Sequence, residues 1–137
     1  MKFLVDTHIL LWAASAPQKI PPRMLKLIAD ERNTLFFSAA SLWEIVIKNS
    51  LGREDFQVDP RIFRSSLVDN GYVEMPITSE HVLFVHDLPP LHKDPFDRIL
   101  VAQSSIEGMA ILTVDQAVID YGGTVILEGN EMRLTAR

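Results

Sequence analysis

No cysteine occurs among the 137 residues, which removes a disulfide framework and a thiolate zinc site from consideration. A cysteine-free chain is compatible with the cytoplasm, where it is expected to act. No apolar run approaches the roughly 18 residues needed to cross a bilayer, so no membrane partner is expected. The stretch from Phe3 to Ala16 is interrupted by Asp6, Thr7 and His8, and Lys2 is its one early cation. It does not read as a signal peptide. Cations are in deficit: 13 Lys and Arg against 18 Asp and Glu leave a net charge of −5. That balance argues against broad non-specific nucleic-acid binding. Any RNA contact would fall to local cations such as Lys48, Arg53, Arg61, Arg64, Lys93 and Arg98, or to a second subunit. A glycine-rich phosphate loop, a nucleophile-elbow pattern, internal repeats and linker-like segments are also missing.

What is present is the make-up of one soluble globular domain, 47% hydrophobic and 23% charged. Apolar runs at Lys2–Val5, Thr34–Phe37, Tyr72–Met75, Ala110–Thr113 and Thr124–Leu127 read as five buried strands. Helical patterns fill the gaps. One runs from Thr7, as cap, to about Ser15, and one from Pro21-Pro22 to near Asn33. Ser38 caps a third, with Leu42, Ile45 and Val46 facing inward. Others open at Asp59-Pro60, at Thr78 and at Asp94-Pro95, the last running to about Glu107 with Gly108 as its stop. Strands alternating with helices imply an α/β fold whose mostly parallel sheet is covered on both faces. The segment from Glu128 to Arg137 reads as a tail, an edge strand or an interface element.

In such a sheet, sites form at the carboxyl ends of the strands. Asp6 and Asp115 each follow an apolar run and fall at that rim. Asp97 lies in the first turn of a crossover helix, whose N-terminus reaches the same edge. Glu44 is further away, roughly 9 Å down its helix from Ser38. Four carboxylates a few ångströms apart cannot all ionise freely without a cation among them. Oxygen ligands of this kind suit Mg²⁺ or Mn²⁺, one ion or two, and metal-dependent phosphodiester chemistry.

Each acid also has an ordinary reading. Asp97 favours the dipole at its helix start; Asp115 could cap a short helix through Ile119; Glu44 and Lys48 form the usual i,i+4 pair. Singly, those three read as structural and Asp6 as functional; together, at one rim, the functional reading prevails. Arg98 opposes the dipole at the start of its helix, so it is expected to serve a neighbouring carboxylate or a substrate phosphate. Thr7, Ser38 and Thr113 lie near the rim and could orient water, although capping explains Thr7 and Ser38 as well. Asp94 reads as a cap. His8, His81, His86 and His92 show no ligand spacing and are expected on the surface or in the core, and Trp12 and Trp43 in the core or an interface.

The segments Phe3–His8, Ser38–Ile45, His92–Gln103 and Leu112–Asp115, in that order, resemble the PIN-domain family and, more narrowly, the VapC-type toxins of bacterial type II toxin–antitoxin systems. The resemblance implies a three-layer α/β/α sandwich and an Mg²⁺- or Mn²⁺-dependent endoribonuclease. It also implies a homodimer and a cognate antitoxin, for which Leu11, Trp12 and Met24 are candidate contacts. Asp6, Glu44, Asp97 and Asp115 correspond to the family's acidic quartet. Metal-activated water would then cleave the RNA without a side-chain nucleophile.

Rival classes fit less well. A receiver module would carry an acid pair after its first strand and a lysine after its last, where this chain has Val5-Asp6-Thr7 and Leu127-Glu128. An aspartyl phosphatase would place a second Asp at His8. A catalytically silent PIN-like binding module is disfavoured by the intact quartet.

Overall fold

The computed structural model describes residues 1–52 and 57–122, and the backbone of 125–127 and 133–134. Strand β1 (Lys2–Val5) lies at the centre, with β2 (Thr34–Ser38) and β3 (Val73–Met75) on one side and β4 (Ala110–Leu112) on the other. These four are parallel, in a register that sets Leu4 against both Phe36 and Ile111. Val125–Leu127 (β5) adds a further parallel strand beyond β4, and Arg133–Leu134 (β6) closes the edge antiparallel. The mostly parallel sheet was expected with five strands, and β6 adds a sixth within 128–137, one of whose readings was an edge strand. The other residues of that segment, like Thr124 and Arg53, lie outside the described ones.

Among the described residues, seven α-helices accompany the strands: α1 (Thr7–Ser15), α2 (Pro22–Ala29), α3 (Ala39–Ser50), α4 (Pro60–Asp69), α5 (Ser79–Val85), α6 (Pro95–Glu107) and α7 (Gln116–Ile119). Alternation along β1 divides the core in two. Phe3 and Val5 pack with Ile9, Leu10, Met24, Ile45, Phe63 and Leu67 from α1 to α4. Leu4 packs on the opposite face with Leu100, Val101 and Val118 from α6 and α7. Helices therefore cover both faces of a strand that is apolar throughout, as a parallel sheet requires. Among the described residues no helix is long and apolar enough to cross a membrane.

Local chemistry sets the helix ends. Asp94 Oδ1 accepts the N–H groups of Phe96 and Asp97, Pro95 supplies a preset φ, and Gly108 stops α6 at φ 67°. Four expectations need correction. Helix α2 ends at Ala29, not Asn33, because Asp30 turns extended and takes hydrogen bonds from Arg32 N and Nε. Thr7 does not cap α1, since Asp6 stands at the cap position and makes no side-chain cap bond. Val46 is exposed. Met24 is fully buried, so it offers no partner surface, while Leu11 and Trp12 are half-buried against the core.

Candidate active site

Strand order fixes where a site can form. The chain leaves β1 toward β2 and β3, then returns to β4 on the other side of β1, so a crevice opens at the carboxyl ends of β1 and β4. Asp6 is the first residue past β1, and its main-chain N–H bonds to Leu112 O at the end of β4. Asp115 lies just past β4 and caps α7 by accepting from Ala117 N at 2.9 Å. Asp97 occupies the first turn of α6. Glu44 sits on the second turn of α3, yet it is buried. The structure thus brings the four acids to one rim: the charges of Asp6, Asp94 and Asp115 act on Asp97, and that of Glu44 acts on Asp6.

Three of these carboxylates share a pattern in which one oxygen is tied to a donor. Thr113 Oγ1 donates to Asp6 Oδ2 at 2.7 Å. Lys48 Nζ lies 2.8 Å from Glu44 Oε2. His92 Nε2 lies 2.7 Å from Asp97 Oδ2. The other oxygens of Asp6 and Glu44, Oδ1 and Oε1, are buried with no hydrogen-bond partner. A buried carboxylate oxygen left unpaired is costly, and a cation is the simplest group that would satisfy two from different elements.

The titration behaviour points the same way. Burial raises Asp6 above the ordinary carboxylate range, and Glu44 adds to this, against the opposing pull of Thr113 and His8. Asp97 is pushed up to about 7, by burial first and then by the charges of Asp6 and Asp94, although His92 holds it down. A positive charge placed among these carboxylates would favour their ionised forms.

The remaining candidate residues divide. Thr113 also accepts Asp115 N–H at 3.1 Å and so links two of the acids. Ser38 caps α3 through Ala40 N, and Thr7 pairs its hydroxyl with that of Ser41 at 2.8 Å. Arg98 Nη2 donates to the carbonyls of Val85 at 3.0 Å and Leu88 at 3.4 Å, at the end of α5, and not to a neighbouring carboxylate, while its Nε is buried without a hydrogen-bond partner. Its side chain leaves the unfavourable start of α6 and reaches the carbonyl end of a neighbouring helix, where a cation is favoured. Among the other cations, Arg64 pairs with Glu74, while Lys93 and Arg61 are exposed.

Sequence reasoning missed His92. One of its ring nitrogens and one carboxylate oxygen each of Asp94 and Asp97 fall within 4.8 Å of one another. The one available signal was its position just before Asp94-Pro95, where the chain turns into α6. Trp43 was expected in the core or an interface; it is 57% exposed and stacks edge-on against Phe96 at 5.1 Å. The pair lines a cleft of about 310 Å³ beside the rim, one residue from Glu44 and Asp97 respectively.

The PIN domain profile matches residues 3–123. The chain belongs to the PIN domain family. Among solved structures, this PIN chain is similar to VapBC2 from Rickettsia felis, determined bound to a DNA fragment from its promoter, with 17% identity and a TM-score of 0.66. That match covers 93% of this chain and 98% of the other. VapBC-1 from nontypeable Haemophilus influenzae is similar at 12% identity and a TM-score of 0.61, over 88% and 92% of the two chains. At such identities the likeness is one of fold. No curated protein matches the chain.

Proposed function

We propose that this PIN protein is a divalent-metal-dependent endoribonuclease and the toxin of a type II toxin–antitoxin pair. The observation that carries the reading is the pair of buried, unpartnered oxygens, Asp6 Oδ1 and Glu44 Oε1, at a rim crowded with further carboxylates. Oxygen donors of this kind fit Mg²⁺ or Mn²⁺ better than a soft-ligand metal. Asp6, Glu44, Asp97 and Asp115 would hold the ion. When bound, it supplies Lewis-acid polarisation of a phosphoryl oxygen and an acidified water for phosphodiester hydrolysis. The chain's own residues keep the ligand oxygens in place: Thr113 fixes Asp6, Lys48 holds Glu44, and the Asp94 cap sets the first turn that carries Asp97. Cleavage would leave 5′-phosphate and 3′-hydroxyl ends.

The similarity to chains of VapBC2 and VapBC-1 supports an antitoxin as partner, and a homodimer acting in the cytoplasm belongs to the same reading. The deciding experiment incubates the protein with total RNA and Mg²⁺ or Mn²⁺, with and without chelator, beside Asp6→Asn and Asp97→Asn. Cleavage by the wild type that chelator stops, and that falls roughly a thousand-fold in Asp6→Asn, is the expected result, since such a loss matches several kcal/mol of transition-state stabilisation. Chelator-resistant cleavage, or near-wild-type turnover in Asp6→Asn, would end the proposal.

A further inference from the structure

Asp97 is held by more than its own helix. His92 Nε2 lies 2.7 Å from Asp97 Oδ2, and the other ring nitrogen, Nδ1, accepts the main-chain N–H of Lys93 at 3.1 Å. A donor at Nδ1 places the ring proton on Nε2, so the imidazole donates to the carboxylate and has no lone pair left for a metal. The main chain of His92 is gripped in turn. The Tyr121 hydroxyl accepts the His92 N–H at 3.1 Å and lies 3.5 Å from the His92 carbonyl. Tyr121 comes two residues after α7, the helix that Asp115 caps.

We infer that His92 and Tyr121 are positioning residues for the cation site. The relay from Tyr121 through His92 to Asp97 fixes one carboxylate oxygen and leaves Oδ1 as the ligand atom. This deepens the metal-dependent reading and rests on it. Thr113 gives Asp6 the same arrangement, one oxygen tied and one left open. His92 belongs to a loop rather than a helix, and its side chain is about a quarter exposed. Without its Lys93 and Tyr121 partners it would sample several rotamers. Partners of this kind, one bond removed from a metal, usually carry 10–100-fold in metal affinity.

Chelator-treated full-length protein is titrated with Mn²⁺ in a calorimeter, as wild type, His92→Ala, His92→Gln and Tyr121→Phe, each also melted thermally. His92→Ala is expected to weaken Mn²⁺ binding by about 10- to 100-fold. Tyr121→Phe, which removes one oxygen atom, is expected to weaken it several-fold. His92→Gln, whose amide can still donate to Asp97, should recover much of the loss. A purely structural role would lower melting temperatures and leave the affinity of the folded protein unchanged. Equal Mn²⁺ affinity in wild type, Tyr121→Phe and His92→Gln, together with His92→Ala where it folds, overturns the positioning role and spares the metal reading. Equal losses in the Ala and Gln variants overturn the donor role. No Mn²⁺ uptake by the wild type overturns both readings.

Discussion

Thr113 Oγ1 and Asp6 Oδ2 meet at 2.7 Å across 107 positions of sequence, at the end of two adjacent parallel strands. The same hydroxyl accepts Asp115 N–H, so one small side chain couples the acid after β1 to the acid after β4. Thr113→Val keeps the shape and removes both bonds. It should cost about 1–3 kcal/mol of stability, because a buried carboxylate oxygen loses its donor. It should also weaken divalent binding. Chemical denaturation and Mn²⁺ titration read the two effects, and an unchanged midpoint together with unchanged affinity would contradict the coupling.

Asp97 should make the protein pH-sensitive in the absence of divalent ions. Its folded-state value of about 7 stands above the ordinary 3.8, so the native state binds a proton that the unfolded chain releases. The contribution to stability is therefore full below about 3.8 and is lost as pH rises through about 7. In chelator, the melting temperature of the wild type should fall between pH 5 and pH 8 by several degrees more than that of Asp97→Asn. Divalent ion should raise it more at pH 8 than at pH 5, since the ligand must be ionised. Parallel pH profiles for the two proteins would exclude Asp97 as the cause.

Much of this was legible in the sequence because the decisive signals are local. Pro95 and Gly108 bracket α6, and the apolar run before Asp6 ends where β1 ends. The α/β layering followed from alternation alone. What escaped depends on distant neighbours. Val46 shares the helical pattern of Ile45 but faces solvent, and Met24, chosen as a surface contact, lies under the sheet's helical layer. His92 stands two residues before the Asp94 cap, and only the fold shows that the turn brings its ring onto Asp97. Glu44, reasoned to lie roughly 9 Å down its helix from Ser38, is buried and near enough for its charge to act on Asp6.

Asp94 illustrates a cap with a consequence for the site. It accepts from Phe96 N at 2.8 Å and from Asp97 N at 3.4 Å, so it fixes the turn that aims Asp97. Asp94→Ala should cost about 1 kcal/mol, the usual worth of such a cap. Asp94→Asn, which retains a capping oxygen and removes a charge beside Asp97, should restore most of the stability. Thermal melts of both variants check this; a common loss in the two would mean that the charge, not the cap, supplies the stability.

Arg98 sets a structural role for a cation against a substrate-binding one. Its guanidinium answers the carbonyls of Val85 and Leu88, where α5 gives way to the loop that leads to His92. Arg98→Met should therefore destabilise the protein by about 1–3 kcal/mol, since two carbonyls lose their donor. A phosphate contact would behave differently. Removing one lowers the slope of log affinity against log salt by about 0.7 for single-stranded RNA. Salt series of RNA binding at a fixed divalent concentration should give the same slope for Arg98→Met and wild type. A slope smaller by a full contact, with stability unchanged, would return Arg98 to the substrate side and leave the end of α5 without its explained partner.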